Sequence, residues 1–394
     1  MIERNAQPLL RKLARQYPVV TVTGPRQSGK TTLCRAAFPD KPWVNLEPMD
    51  VRDEARRDPR GFLGVYPQGA ILDEVQHVPE LLTYVQDEVD RRPKAGRFVL
   101  TGSQQLGVSH AVSESLAGRT AMLELLPPSF DELQRFPSPP ADLMTTLWSG
   151  AYPRIFDARI EPARWHSDYV TTYVQRDVRS LTNVSDLSAF TAFVRLAATR
   201  TAQELNLLAL GADAGVSQPT ARAWLSVLEA SFLCRRALPW HRNLRKQTVK
   251  RPKLYFLDTG LVCHLLGIQT AEQLRLHPLR GAVFETWVAS EIVKARAHRG
   301  LPAVLAHYRE PRAVEVDWVL ETSNEIVLVE AKSGATLADD FFAGLAAVAK
   351  RMAGAPDGRR VTQTLVHGGQ RSSRQAGVAV LAWNHIATGP WSGR

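Results

Sequence analysis

Cysteine is scarce in this 394-residue chain: Cys34, Cys234 and Cys263 stand far apart and form no C-x-x-C pair. That spacing argues against a disulfide framework and a zinc site, and leaves the three thiols as buried small apolar side chains. Long hydrophobic runs are also missing. No stretch approaches the roughly 18 uncharged apolar residues of a membrane span, so no membrane passage is expected. The opening MIERNAQPLL has an acid at its third position and no apolar core leading to a small-residue cleavage site; it does not read as a signal peptide, and the cytoplasm is the expected compartment. Acids are in deficit, 39 Asp and Glu against 49 Lys and Arg for a net charge of +10, which favours polyanionic partners. What is present is ordinary for globular protein, 44% hydrophobic and 22% charged residues, in a chain long enough for two or three domains with their own cores.

The strongest local signal is VVTVTGPRQSGKTT, a β-branched run from Val19 to Thr23 followed directly by Gly24, Pro25, Arg26, Gln27, Ser28, Gly29, Lys30, Thr31 and Thr32. This is the G-x-x-x-x-G-K-[ST] phosphate loop in its strand-loop-helix context. The glycines let the backbone curl so that its N–H groups face phosphates, and the following helix presents its positive end. Lys30 then supplies charge to the β and γ phosphates of ATP, and the Thr31 hydroxyl is the expected Mg²⁺ ligand. Such a loop needs an acid on an adjacent strand, and GAILDEVQHV offers Asp73 to hold Mg²⁺ through water and Glu74 to orient and deprotonate the attacking water. The strand in RFVLTGSQQ ends at Thr101-Gly102-Ser103, where Ser103 can sense the γ-phosphate or belong to an ordinary turn. Arg119 in SLAGRT is open between an arginine finger in cis, one acting on a neighbouring subunit of a homo-oligomer, and a surface arginine.

GPRQSGKTT, ILDEVQ, LTGSQ and SLAGR followed by LPPSFDEL resemble a prokaryotic AAA-like P-loop ATPase family whose members carry a C-terminal domain of unknown function with restriction-endonuclease-like motifs. SGAYPRI, TYVQRDV, KLYFLDTGL, GAVFETWV, EVDWVL and VEAKSG look like further blocks of that family, so the resemblance extends over nearly the whole chain. It implies an ATP-binding, AAA-related enzyme and says little about substrate.

Downstream, Pro127, Pro128 and the run PSPPAD interrupt regular periodicity and suggest that the ATPase core ends between 125 and 145. A helix is expected over about 162–178. TAQELNLLALGADAGVSQPTARAWLSVLEA has helix-turn-helix spacing, with Gly215 in the turn, Ser217 as N-cap, and Val216, Ala221, Trp224 and Leu228 on one buried face. FLCRRAL and KLYFLD follow as the two strands of a wing. Between Ala230 and Leu257 stand eight Lys or Arg residues and no acid. Arg242, Arg245, Lys246, Lys250 and Arg251 can follow DNA or other nucleic-acid phosphates, with Arg222 near a groove; the alternative is a solvated loop or a protein-contacting module.

Near the C-terminus, EVDWVLETSNEIVLVEAK reads as two antiparallel strands turning at Thr322-Ser323-Asn324. Glu330 and Lys332 point to one face, and Asp317 can meet them across the pair. Two carboxylates suit a hard divalent cation, Mg²⁺ or Mn²⁺, with a lysine beside a phosphate under attack. This D-x12-E-x-K pattern resembles the restriction-endonuclease-like core, with Glu285 of GAVFETWV as a further acid. A nuclease fold without catalysis stays open. The expected architecture is α/β: an AAA-like P-loop ATPase domain over 1–145, a helical and winged-helix domain over 146–270, and a restriction-endonuclease-like α/β domain over 271–394. The expected activity is ATP hydrolysis, coupled either to DNA work with metal-dependent cleavage or to an ATP-gated binding switch for DNA or a protein.

Overall fold

The computed structural model describes residues 2–103, 115–174, 186–240, 251–309, 314–322, 324–352 and 358–391. They fall into two units. One gathers Met1–Pro128 with the short stretches Ala230–Phe232 and Ala297–Leu301; the other comprises Ser129–Glu229, Leu233–Arg296 and Pro302–Arg394.

The first unit is built on a parallel sheet of β1 (Val19–Thr23), β2 (Trp43–Asn45), β3 (Ile71–Asp73), β4 (Phe98–Gly102) and β5 (Thr120–Glu124) in the order β2-β3-β4-β1-β5. Side chains alternate across a strand, so consecutive residues feed two cores. Leu72, Phe98 and Leu100 enter one cluster, whereas Ile71, Val99, Val20 and Val22 enter the other. The inner strands β3, β4 and β1 are buried along their length, whereas the edge strands β2 and β5 leave Trp43 and Met122 exposed. Because all five run the same way, their C-terminal ends share one edge, from which the phosphate loop, Asp73 and Thr101 project. This is the α/β P-loop core expected from the sequence.

The second unit begins its β structure with β6 (Gln203–Glu204), after the helix Leu187–Thr199. The helices Leu207–Asp213 and Gln218–Ala230 follow, then the antiparallel pair β7 (Cys234–Pro239) and β8 (Lys253–Phe256), with β6 on the other side of β8. Gly215 turns the chain with φ of 71°, a conformation costly for residues with a Cβ. Ser217 Oγ accepts from the Thr220 amide at 3.3 Å, capping the second helix. Trp224 packs edge-on against Phe190 and Phe193 at 5.2 and 5.4 Å. The helix expected over 162–178 is Pro162–Tyr169, continued by a wider π-helical turn to Val174; residues 175–178, and the basic residues Arg242, Arg245, Lys246 and Lys250, lie outside the described residues.

The remaining strands join two sheets. β9 (Ala306–Arg309) pairs parallel to β7, and β10 (Glu315–Val316) antiparallel to β9, giving the order β10-β9-β7-β8-β6. Strands from 146–270 and from 271–394 therefore share one sheet. The chain then changes sheets at a single residue, Asp317. β11 (Trp318–Glu321) pairs antiparallel with β12 (Glu325–Lys332), which runs parallel to β13 (Arg360–His367); β14 (Ser373–Gln375) and β15 (Val378–Ala382) complete the order β11-β12-β13-β15-β14. Helix Asp340–Met352 carries the crossover between β12 and β13 and buries Leu345, Val348 and Met352. Among the described residues no helix is long and apolar enough to cross a membrane.

Candidate functional site

The phosphate loop owes its shape to backbone that only particular residues tolerate. Gly24 has φ of 150°, and a Cβ there would stand 2.0 Å from the Leu125 carbonyl oxygen; no side chain fits. Gln27 and Gly29 also have positive φ, 61° and 93°, which turns successive N–H groups inward ahead of helix Lys30–Ala37. The Lys30 ammonium is buried and donates to the Gly24 and Pro25 carbonyls at 3.0 and 2.9 Å. Burial lowers its pKa, partly countered by the charges of Glu74 and Asp73.

Thr31 and Asp73 meet directly, the hydroxyl donating to the two carboxylate oxygens at 3.0 and 2.9 Å. The Trp43 indole donates to the same carboxylate at 3.2 Å, and the Thr101 hydroxyl donates to it as well. The Thr101 oxygen also accepts from the Glu74 amide at 3.2 Å, so β4 links the two acids of β3. Glu74 has φ of 57°, an uncommon conformation for a residue with a Cβ. Its carboxylate is held by the Gln76 amide and by the Ser103 hydroxyl at 3.4 Å, and Gln76 also reaches Ser103 at 3.3 Å. Gly24 to Thr32, Asp73, Glu74 and Ser103 thus come to one end of the sheet. Arg119 does not join them. It precedes β5, its carbonyl accepts from the Val19 amide at the start of β1, and its guanidinium makes a two-pronged ion pair with Asp90 at 2.6 and 2.8 Å. It therefore stands at the opposite end of β1 from the phosphate loop, and the finger-in-cis alternative has no geometry in this chain.

A second constellation lines an open, polar cleft of about 610 Å³ in the other unit, where Glu285, Asp317, Glu330 and Lys332 meet Lys253, Glu315 and Arg309. Register explains the encounter: one step beyond the Trp318–Val329 pair of β11 and β12, Asp317 faces Glu330. Helix Arg280–Ala297 delivers Glu285. Lys332 donates to Glu330 Oε1 at 2.7 Å, and Glu330 Oε2 has no hydrogen-bond partner among the described residues. The Lys253 ammonium lies 2.7 Å from Glu315, 3.2 Å from Glu285 and 3.3 Å from Asp317. Tyr255 donates to Glu285 at 2.6 Å. Burial, then the charge of Asp317, hold the Glu285 and Glu330 carboxyls above the usual range. Burial pulls Lys253 down, but Asp317, Glu285 and Glu315 together outweigh it and raise the ammonium's pKa.

Several participants escape a reading of the sequence, among them Trp43, Glu315 and Arg309, and four more show why. Arg4 reaches beneath the phosphate loop, donating to the Ser28 and Leu126 carbonyls at 2.8 and 2.7 Å. Nothing local marks it, since its partners are 24 and 122 residues away. Gln76, two positions after Glu74 in a turn, had a discernible signal. Lys253 and Tyr255 alternate on β8 and so share a face; they were visible only as strand residues after a basic loop. Among the described residues no three His, Cys, Asp or Glu side chains stand in an arrangement that would hold a metal ion.

Residues 16–134 match the AAA domain family, while 140–272 and 280–386 match two domains of unknown function, DUF8612 and DUF4143. The chain is 33% identical over 341 residues to the uncharacterized protein Rv2008c of Mycobacterium tuberculosis and to the uncharacterized protein Mb2031c of Mycobacterium bovis, spanning 84% of this chain and 74% of each of theirs. Among solved structures, the Walker-type ATPase paby2304 of Pyrococcus abyssi is similar at 13% identity with a TM-score of 0.46, over 67% of this chain and 96% of that one.

Proposed function

Since the chain belongs to the family of those two mycobacterial proteins and carries an AAA domain, we propose that it is an ATPase that binds ATP with Mg²⁺ through residues 24–32 and hydrolyses it with Glu74 as base. The carrying observation is the hydrogen-bonded line from Thr31 through Asp73 and Thr101 to the Glu74 amide, which ties the phosphate loop to the acid pair. Lys30 bears the charge that binds the β and γ phosphates. The Thr31 hydroxyl and the Asp73 carboxylate fit a Mg²⁺ ion, which takes one or two protein oxygens and fills its shell with water and phosphate; when bound, it neutralises charge on those phosphates. Glu74 accepts a proton from water as the water oxygen attacks the γ-phosphorus and the bridging oxygen leaves with ADP. Ser103 and Gln76 aim the Glu74 carboxylate. Arg119 is left with action on a neighbouring subunit or a surface role.

Lys30→Ala is expected to weaken ATP binding, and Glu74→Gln to retain ATP while turnover falls about 10²-fold or more, the scale of a lost general base. Equilibrium binding of a fluorescent ATP analogue and phosphate release measure the two. Unchanged turnover in both variants overturns the reading.

For the rest of the chain, the order helix, β6, two helices, β7 and β8, with β8 between β6 and β7, supports a winged-helix module in 146–270 that meets nucleic acid through exposed Arg222 and Arg251 and the basic segment between β7 and β8. Helix Arg280–Ala297 with the β11-β12-β13 sheet and the Asp317, Glu330 and Lys332 cleft supports a nuclease-like domain in 271–394. Glu285, Asp317 and Glu330 supply oxygens of the kind that hold Mg²⁺ or Mn²⁺, and Lys332 a charge for a phosphate. We read this cleft as a cation-dependent site whose chemistry is phosphodiester cleavage or nucleic-acid binding alone. Plasmid and single-stranded substrates incubated with and without ATP in Mg²⁺ or Mn²⁺ separate the two.

A further inference from the structure

We propose that Lys253 is a resident cation in the acidic cleft, standing where the Glu285, Glu315 and Asp317 carboxylates converge, so that the cleft takes up a divalent cation only by displacing it. The proposal rests on the reading of that cleft as a cation site and concerns what controls its loading. An ammonium has three protons. Lys253 has three carboxylate neighbours, at 2.7, 3.2 and 3.3 Å, one for each. The side chain is only 5% exposed, and its strand is paired on both edges, to β6 and β7, so the backbone that carries it is fixed. Tyr255, on the same face of β8, donates to the same Glu285 Oε1 that Lys253 reaches.

These carboxylates are spread to suit an ammonium. Mg²⁺ draws oxygens in to about 2.1 Å and Ca²⁺ to about 2.4 Å, whereas the oxygens around Lys253 lie farther out, and no three acids among the described residues are set for a metal. Charge points the same way. The cleft is lined by six acids, Glu204, Glu285, Glu315, Asp317, Glu330 and Asp340, against Lys253, Arg309 and Lys332. It is therefore cation-attracting overall, yet a dication at Asp317 would sit beside an ammonium that shares the same oxygens. Glu330 Oε2 is a buried carboxylate oxygen with no hydrogen-bond partner among the described residues, and with Asp317 it marks oxygens that an ion taken into the cleft would use.

The test is Mn²⁺ titration of the full chain by calorimetry, followed by thermal melts with and without Mn²⁺. An Asp73→Asn background keeps the phosphate loop from contributing a site. Lys253→Gln is expected to bind one Mn²⁺ at least tenfold more tightly than the chain with Lys253, and its melting temperature is expected to rise with Mn²⁺. Lys253→Arg, which restores the charge, is expected to behave like the lysine. If Lys253→Gln is unfolded without metal, Mn²⁺ should restore its melting transition; failure to do so overturns the proposal. Equal Mn²⁺ affinity with lysine and glutamine overturns the proposal and leaves the cation-site reading standing. No Mn²⁺ binding and no Mn²⁺-dependent melting in any variant overturns both.

Discussion

Among the described residues every side-chain donor to Asp73 is neutral, the hydroxyls of Thr31 and Thr101 and the indole of Trp43. Around Asp317, among the described residues, the side-chain donor is an ammonium, Lys253. Each region holds a buried lysine near buried acids, but they pair differently. Lys30 bonds backbone carbonyls of its own loop, so it forms no hydrogen bond to Asp73 and can turn to phosphate at the cost of two hydrogen bonds to uncharged carbonyls. Lys253 is matched to carboxylates, so its departure leaves buried charge uncompensated, a far more expensive state. The difference teaches that residue types alone do not say whether a site awaits a ligand; the charge state of each partner does.

The sharpest way to break the comparison is to remove one counter-charge from the cleft. Asp317→Asn is expected to destabilise the second unit by about 2 kcal/mol or more, because a buried ammonium loses an acid partner, while ATP turnover per mole of folded protein stays normal. Urea unfolding followed by tryptophan fluorescence reads the first and phosphate release the second; equal loss in both would mean that the two regions are not electrostatically independent. A smaller effect concerns the basic segment between β7 and β8. Replacing Arg245, Lys246 and Lys250 with alanine is expected to weaken DNA binding alike for all sequences and to flatten the log–log salt slope by about 0.9 for each lost contact. Fluorescence anisotropy over a salt series measures it, and an unaltered slope returns the segment to a solvated loop.

The smallest effect is a pH dependence. His166 is buried, with Nε2 on the Ser149 carbonyl at 3.1 Å, and burial outweighs the nearby Asp258 to keep its pKa below the ordinary value. The unfolded chain takes up this proton near pH 6.5 and the folded chain only at lower pH, so stability is full above about 6.5 and falls as pH drops below it. Raised Glu285 and Glu330 act with the opposite sign, losing stability as pH rises toward their shifted values. The difference between the parent and His166→Gln therefore isolates the imidazole. Melting between pH 7.5 and 5.5 is expected to fall less in the variant, by about 1 kcal/mol; parallel curves would remove His166 from the account.

Local signals were legible and distant ones were not. The phosphate loop could be read because all its requirements fall within nine consecutive residues, and the Asp317, Glu330 and Lys332 set because a strand period of two and one turn bring them together. For Arg119 the sequence leaves three roles open, because nothing local tells at which end of the sheet it stands; the parallel pairing of β1 with β5 shows that a residue before β5 lies away from the loop that follows β1. Lys253 counted as one more basic residue beside a wing, since its acid partners are 32 to 64 residues further on. SGAYPRI and FLDTGL, which read as family blocks, turn out to meet. The Asp258 carboxylate accepts from the Ala151 and Leu261 amides at 2.7 and 2.8 Å, and a Cβ on Gly260 would collide with His166 and the Ser149 carbonyl. Their residue choices are accounted for by packing and capping.

The sheet change at Asp317 divides the labour of its two oxygens. A strand that ends one ladder at Val316 and begins another at Trp318 leaves the intervening residue without a backbone role in either, and Asp317 Oδ2 stands in for the missing carbonyl by accepting from the Ala331 amide at 3.0 Å. That oxygen behaves as a piece of main chain: lending it out would leave the Ala331 amide without this acceptor, on the edge of β12 that faces away from β13. Only Oδ1, the oxygen facing Lys253, is free to exchange partners. Asp317 is thus a one-handed ligand, and any ion it holds must be grasped through a single oxygen while the other keeps the strands in register.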